Sequence, residues 1–218
     1  NNVGIGGNAP AEKLDVNGNI KVTGNIYHSN NTLSGTTLTH SQTHPSAVFG
    51  SSNTVSGTRC LVAGMSNTVS NQMSIAVGHL NKIDGTDGWF AIAMGKENTA
   101  KGESSIAMGY KNVTNDYKDY SIAMGSQNEA GGIASVAIGQ KNKTYGLASI
   151  AMGQNNNYDR TAEVYVNSGN YSVAMGYENI AKGDSSVAMG ESNDIDTSSP
   201  HSVAMGHLNE VKEYSNYS

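Results

Sequence analysis

A five-residue phrase recurs along most of this chain and limits what it can fold into. Ser105-Ile106-Ala107-Met108-Gly109 returns at 121–125, 149–153, 172–176, 186–190 and 202–206, with Val for Ile in the last three. Looser copies end at Gly50, Gly64, Gly78, Gly95 and Gly139, making about eleven in all. Successive phrase-ending glycines lie 14, 14, 17, 14, 16, 14, 14, 23, 14 and 16 residues apart. Three residues after every one stands an asparagine: Asn53, Asn67, Asn81, Asn98, Asn112, Asn128, Asn142, Asn156, Asn179, Asn193 and Asn209. The unit is therefore 14 residues with occasional insertions.

The phrase alternates small and large with period two, which is a strand signal, and it is too short for a helix. Gly and Asn tolerate positive φ and mark turns. Fourteen residues then hold two short strands and two turns, one coil of an all-β solenoid. Stacked coils place each asparagine over the last, where side-chain amides form a ladder. At about 4.8 Å per coil, eleven coils make a rod of roughly 50 Å. Composition agrees. Gly, Asn and Ser number 26 each, while Leu, Ile, Val and Phe make up only about 17% of 218 residues. Disorder needs high net charge as well, and here it is −5 with 14% charged residues.

Each strand shows two rows, Ile106 and Met108 on one face, Ser105, Ala107 and Gly109 on the other. Neither reads as a solvent-facing row of Lys, Glu or Thr. The expectation is that the bulky row fills the coil and the small row packs against a partner chain; the reverse assignment is the alternative. About three apolar side chains per coil, at roughly 1.5–3 kcal/mol each, fall short of the backbone entropy of 14 residues, on the order of 14–28 kcal/mol. An obligate oligomer is expected.

These residues resemble the head repeat of trimeric autotransporter adhesins, the YadA-like head, whose unit has the form Asn-x-Ala-x-Gly-x-x-Ser-Val-Ala-Ile-Gly. Residues 98–109 and 179–190 match it closely, and the resemblance covers about 46–211. Departures are Met where Ile is usual before Gly, and the insertions. The resemblance implies a left-handed parallel β-roll, a β-solenoid here of about eleven 14-residue coils, as a homotrimer with an adhesive role.

A second resemblance lies upstream. Val3-Gly4-Ile5-Gly6, Pro10 and 13–20 are similar to a short module of phage tail fibres, often found beside an endosialidase-type chaperone that cleaves itself off after a serine. That family implies such a release at Ser218; a truncated chain or a disordered tail is the alternative. Residues 1–27 are expected to be a short β module, two strands around the Asn17-Gly18 turn. Residues 28–45 read as a linker or neck, and 46–218 as the β-roll.

Several classes drop out. There is no apolar run of 18 residues, so no helical membrane insertion. A pI near 5.6 and scattered Lys and Arg argue against a nucleic-acid partner. No nucleophile elbow, phosphate loop or His-Glu-x-x-His occurs, and no enzyme is expected. Cys60 stands alone and reads as a small buried residue. His40 and His44 read as linker, His79 and His207 as turn-facing surface. Asp84/Asp87 and Asp194/Asp196 do not have a known calcium-loop spacing. No cofactor or metal is expected.

The insertions remain. Loops that break a rigid repeat often bind. Trp89 lies before Gly95, Tyr117 and Tyr120 before Gly125, and Tyr158, Arg160, Tyr165 and Tyr171 between Gly153 and Gly176. Aromatics beside polar groups suit stacking on glycans, so these seven are the ligand-binding candidates. The reading is a non-catalytic trimeric fibre segment that attaches to a host-surface glycan or protein receptor, as part of a virion tail fibre. The alternatives are the head of a bacterial cell-surface adhesin and a structural spacer.

Overall fold

A computed structural model gives the structure of the chain and describes residues 3–5, 14–16, 46–86, 89–159, 164–165 and 168–212. The chain divides into two units, Asn1–His40 and Ser41–Ser218. In the first, strands Val3–Ile5 and Leu14–Val16 pair in parallel, Val3 opposite Leu14 and Ile5 opposite Val16. The expected turn at Asn17-Gly18 and the strand beyond it lie outside the described residues. The expected linker over 28–45, with His40 and His44, lies outside the described residues.

The second unit is a parallel β-solenoid of eleven turns. Eleven five-residue strands, from Ala47–Ser51 to Val203–His207, form one parallel sheet. The sequence repeat sets the register: Ile106 pairs with Ile92 and Ile122, and Gly109 with Gly95 and Gly125. Even the longest insertion does not shift it, because Gly153 still faces Gly176. Each long strand is followed by a two-residue strand. Seven of these, from Thr54–Val55 to Lys143–Thr144, form a second sheet, and Ile180–Ala181, Asp194–Ile195 and Glu210–Val211 form a third.

Positive-φ turns close each coil. Gly109 has φ of 117°, a region L side chains rarely adopt, and a Cβ there would lie 2.1 Å from the carbonyl oxygen of Gly125. Only glycine permits that approach. Two further residues per coil are left-handed, such as Ser104 and Lys111 in one coil. Each such non-glycine residue costs about 1 kcal/mol. Stacking offsets the cost: the Lys111 amide donates to Lys96 O at 3.0 Å and that of Ser104 to Trp89 O at 2.8 Å.

The interior reverses the expected assignment of the two strand rows. Ala107, Ser105 and Asn112 are fully buried, whereas Ile106 and Met108 face outward and are half-buried. The same holds for Ala93, Ala123, Ala137 and Ala151 against their flanking Ile, Val and Met residues. The physical reason is room. The closely folded walls of a 14-residue coil leave space for an Ala, or for Val62 in its coil, with a hydroxyl and one amide, beside the short strand's Ala, Val, Thr or Ile.

Nine of the eleven asparagines, from Asn67 to Asn193, occupy the rest of that interior, and Asn53 and Asn209 stand at its ends. The Asn112 backbone N–H and Nδ2 both donate to Asn98 Oδ1 at 3.0 Å. Nδ2 also lies 2.9 Å from Met108 O and 2.8 Å from Gly125 O. The pattern repeats from Asn67 to Asn193. It supplies partners for the carbonyls of the positive-φ glycines, which buried backbone groups require. Cys60 is buried and donates to Asn71 O at 3.0 Å.

Candidate functional site

Two faces of the solenoid differ in what they show outward. On the long-strand face, Ile75, Ile92, Met94, Ile106, Met108, Ile122 and Met124 make a half-buried aliphatic column that continues to both ends of the sheet. At the last coil Val203 and Met205 are 60% and 63% exposed. The short-strand face carries charge instead: Lys82, Glu129, Lys143, Asp194 and Glu210 occupy equivalent outward positions.

Lys82 pairs with Asp84 and Glu210 with Lys212 inside one coil, while Lys143 with Glu129 and Lys182 with Asp194 pair between coils. Lys143 Nζ lies 2.6 Å from Glu129 Oε2, and Asn115 Nδ2 donates to Glu129 Oε1 at 3.0 Å. Burial pushes the Glu129 carboxyl up, but the Lys143 and Asn115 hydrogen bonds and the Lys143 charge together hold it below its ordinary value. Burial also lowers Lys143, and its bond to Glu129 outweighs that, so its ammonium is held above the usual lysine value. Asp194 behaves oppositely. Burial raises its carboxyl, and Lys182 at 3.5 Å only partly compensates, with Asp196 and Glu210 adding to the rise.

The corner before each long strand holds several of the candidate aromatics. Amide-to-carbonyl bonds link Trp89 to Ser104, Leu147 to Tyr171, and Asp184 to His201, coil over coil. Phe90, Tyr120 and Tyr171 therefore share one turn position, all with positive φ. Tyr120 and Tyr171 are each 59% exposed, and Trp89, Ile133 and Leu147 are exposed beside them. Register places Tyr120 three coils from Tyr171, about 14 Å at 4.8 Å per coil. Tyr117 is also exposed, within the same insertion as Tyr120.

Between Gly153 and Gly176 the coil opens. Tyr158–Asp159 and Val164–Tyr165 pair antiparallel, Tyr158 opposite Tyr165, as a hairpin that replaces one short strand and divides the short sheets. Arg160 lies outside the described residues. At the point of departure Asn157 turns with φ of 59°. Its side chain then stands in for one peptide unit of the missing strand: Nδ2 donates to Lys143 O at 2.7 Å, and Oδ1 accepts from Ala181 N at 3.2 Å. Where the coil resumes, the buried Ser168 hydroxyl accepts from the amides of Tyr145 and Gly146, each at 3.1 Å.

Beside this repair lies a cleft of about 420 Å³, lined by Tyr145, Ser168, Asn170, Lys182, Asp184 and Thr197 with two glycines. It abuts the aromatic corner, because Asn170 directly precedes Tyr171 and Asp184 occupies the equivalent position one coil on. Sequence reasoning missed these residues. One signal was present: Tyr145 stands where other coils carry Ser, Asn, Lys or Asp, and Gly131 stands one coil before it.

Among the described residues no three His, Cys, Asp or Glu gather as metal ligands, and no helix is long and apolar enough to cross a membrane. The YadA head domain repeat matches residues 90–112, 117–142, 130–156 and 168–190. No curated protein matches the chain.

Proposed function

Because the chain carries YadA head domain repeats, we propose that it is a non-catalytic, extracellular adhesion module, a homotrimeric fibre segment that attaches to a host-surface glycan or protein receptor. The observation that carries this reading is the aliphatic column on the long-strand face. A row of Ile, Val and Met over the nine strands from Ile75–His79 to Val203–His207 is far larger than the scattered apolar residues a monomer shows to water. A second and third copy of the same face cover it, and a parallel arrangement keeps coil against coil.

Trimerisation leaves the charged face and the aromatic corner outside. Three weak corner sites on one rigid rod bind by avidity, so single-site strength need not be high. The experiment is attachment of the labelled protein to panels of bacterial and animal cells. Wild type is expected to attach, and a Trp89→Ala/Tyr120→Ala/Tyr171→Ala protein of unchanged thermal stability to attach much less. A wild type that attaches to no cell sinks the reading; unchanged attachment of the triple variant moves the receptor site off this corner.

The setting is a tail fibre or a bacterial surface. Reading the frame beyond Ser218 separates them. A helical self-cleaving chaperone marks the first, and a coiled-coil stalk ending in amphipathic membrane strands marks the second.

A further inference from the structure

We propose that the cleft at the base of the 158–165 hairpin binds a neutral saccharide. The inference deepens the adhesive reading and rests on it for its biological use. Its volume of about 420 Å³ lies within the size range of small-molecule sites. The ligand class follows from the groups that line it.

Tyr145 supplies a fixed aromatic platform. Its ring lies across Gly131, where a Cβ would come within 2.5 Å of the ring carbon Cδ1. The Lys143 ammonium sits 6.0 Å from the ring centroid and 3.4 Å from the phenol oxygen. A ring held on two sides loses little further freedom on binding. The C–H faces of a pyranose pack on such a ring as other apolar groups do.

Around the platform are hydrogen-bonding groups of both kinds. Asn170 Oδ1 accepts from the Leu147 amide at 2.8 Å, which orients the side chain and leaves its Nδ2 donor uncommitted. Asp184 Oδ1 accepts from the Asn170 amide at 2.7 Å, leaving its second oxygen as an acceptor. Thr197 adds a hydroxyl, and Lys182 an ammonium already drawn toward Asp194 at 3.5 Å. Sugar hydroxyls donate and accept, so they satisfy both sets at once. The opposed charges of Lys182 and Asp184 disfavour a ligand of either net charge.

The test is saturation-transfer NMR on the assembled protein with the methyl glycosides of glucose, galactose, mannose and N-acetylglucosamine, and with a sulfated galactoside as charged probe. At least one neutral glycoside is expected to bind with a millimolar dissociation constant. Tyr145→Ala and Asp184→Asn should each weaken it at least tenfold. Asp184→Asn retains an oxygen for the Asn170 amide, so its loss of binding is not a loss of fold. Binding of no neutral glycoside, binding indifferent to both substitutions, or preference for the sulfated probe overturns the proposal. Cell attachment is read in parallel. A protein that attaches but binds no glycoside removes the saccharide site and leaves the adhesive reading. One that binds through Tyr145 and Asp184 but attaches to nothing does the reverse.

Discussion

The long-strand and short-strand faces hang on the same backbone ladder, yet they have opposite chemistry. Both alternate inward and outward residues, and both bury small side chains inside the coil. Outward, one shows Ile106, Met108, Ile122 and Met124, and the other shows Lys82, Glu129, Lys143 and Asp194. The coil does not need the aliphatic row for its own interior, which Ala, Ser and Asn fill. In the proposed trimer that row meets the other copies, so folding and assembly there would use different residues of the same strand.

The sharpest way to break the contrast is to put charge on the aliphatic face. Met108→Glu with Met124→Glu would place six carboxylates at the centre of a trimer, where unpaired charge is very costly. Sedimentation should show monomer in place of trimer. A variant still trimeric would show that this face is not the interface.

Next in size are the interior asparagines common to both faces. Asn112→Ala removes the side-chain donor to Gly125 O and the side-chain oxygen that accepts from the Asn128 backbone N–H and Nδ2. Unsatisfied buried groups cost about 1–3 kcal/mol each, so a loss of about 3 kcal/mol is expected in urea unfolding. A loss under about 1 kcal/mol would mean that water replaces the ladder.

The charged face should respond weakly. Glu129→Gln is expected to cost about 1 kcal/mol at pH 7. Because the folded Glu129 carboxyl is held low, its stabilisation is present above the unfolded carboxyl pKa and is lost as pH falls through the folded one. The variant and wild type should then converge in acid; a gap that persists there would assign the effect to packing. Smallest is Asp194, whose raised carboxyl gives the opposite sign. Asp194→Asn should stabilise slightly at pH 7, and the gain should vanish as pH falls below both carboxyl values, where wild-type Asp194 is neutral as well. Solvent screening keeps this effect small, and destabilisation at pH 7 would refute it.

Most of the fold is legible in the sequence. The spacing of the glycines gives the coil length, and the asparagine three residues on gives the position of the amide ladder. Both follow from covalent geometry that a few residue types satisfy: φ near 117° excludes every side chain at Gly109, and a buried carbonyl beside it calls for an amide. The parallel pairing of Val3–Ile5 with Leu14–Val16 was not legible, because parallel partners leave no short-range pattern in the sequence. Of the aromatic candidates, Trp89, Tyr120 and Tyr171 proved to share a corner, which a fixed register brings together from distant coils.

Sequence by itself determined the repeat, its register and the residues that must turn. Only the tertiary structure decided which strand row points inward, because alternation labels two faces without saying which encloses volume. Coil width settles that, and it admits Ala107 but not Met108. The same holds for the cleft. Tyr145, Asn170, Lys182 and Asp184 lie up to 39 residues apart, and they meet only because the coils keep their register across the insertion, where Asn157 and Ser168 bridge the break with side-chain hydrogen bonds.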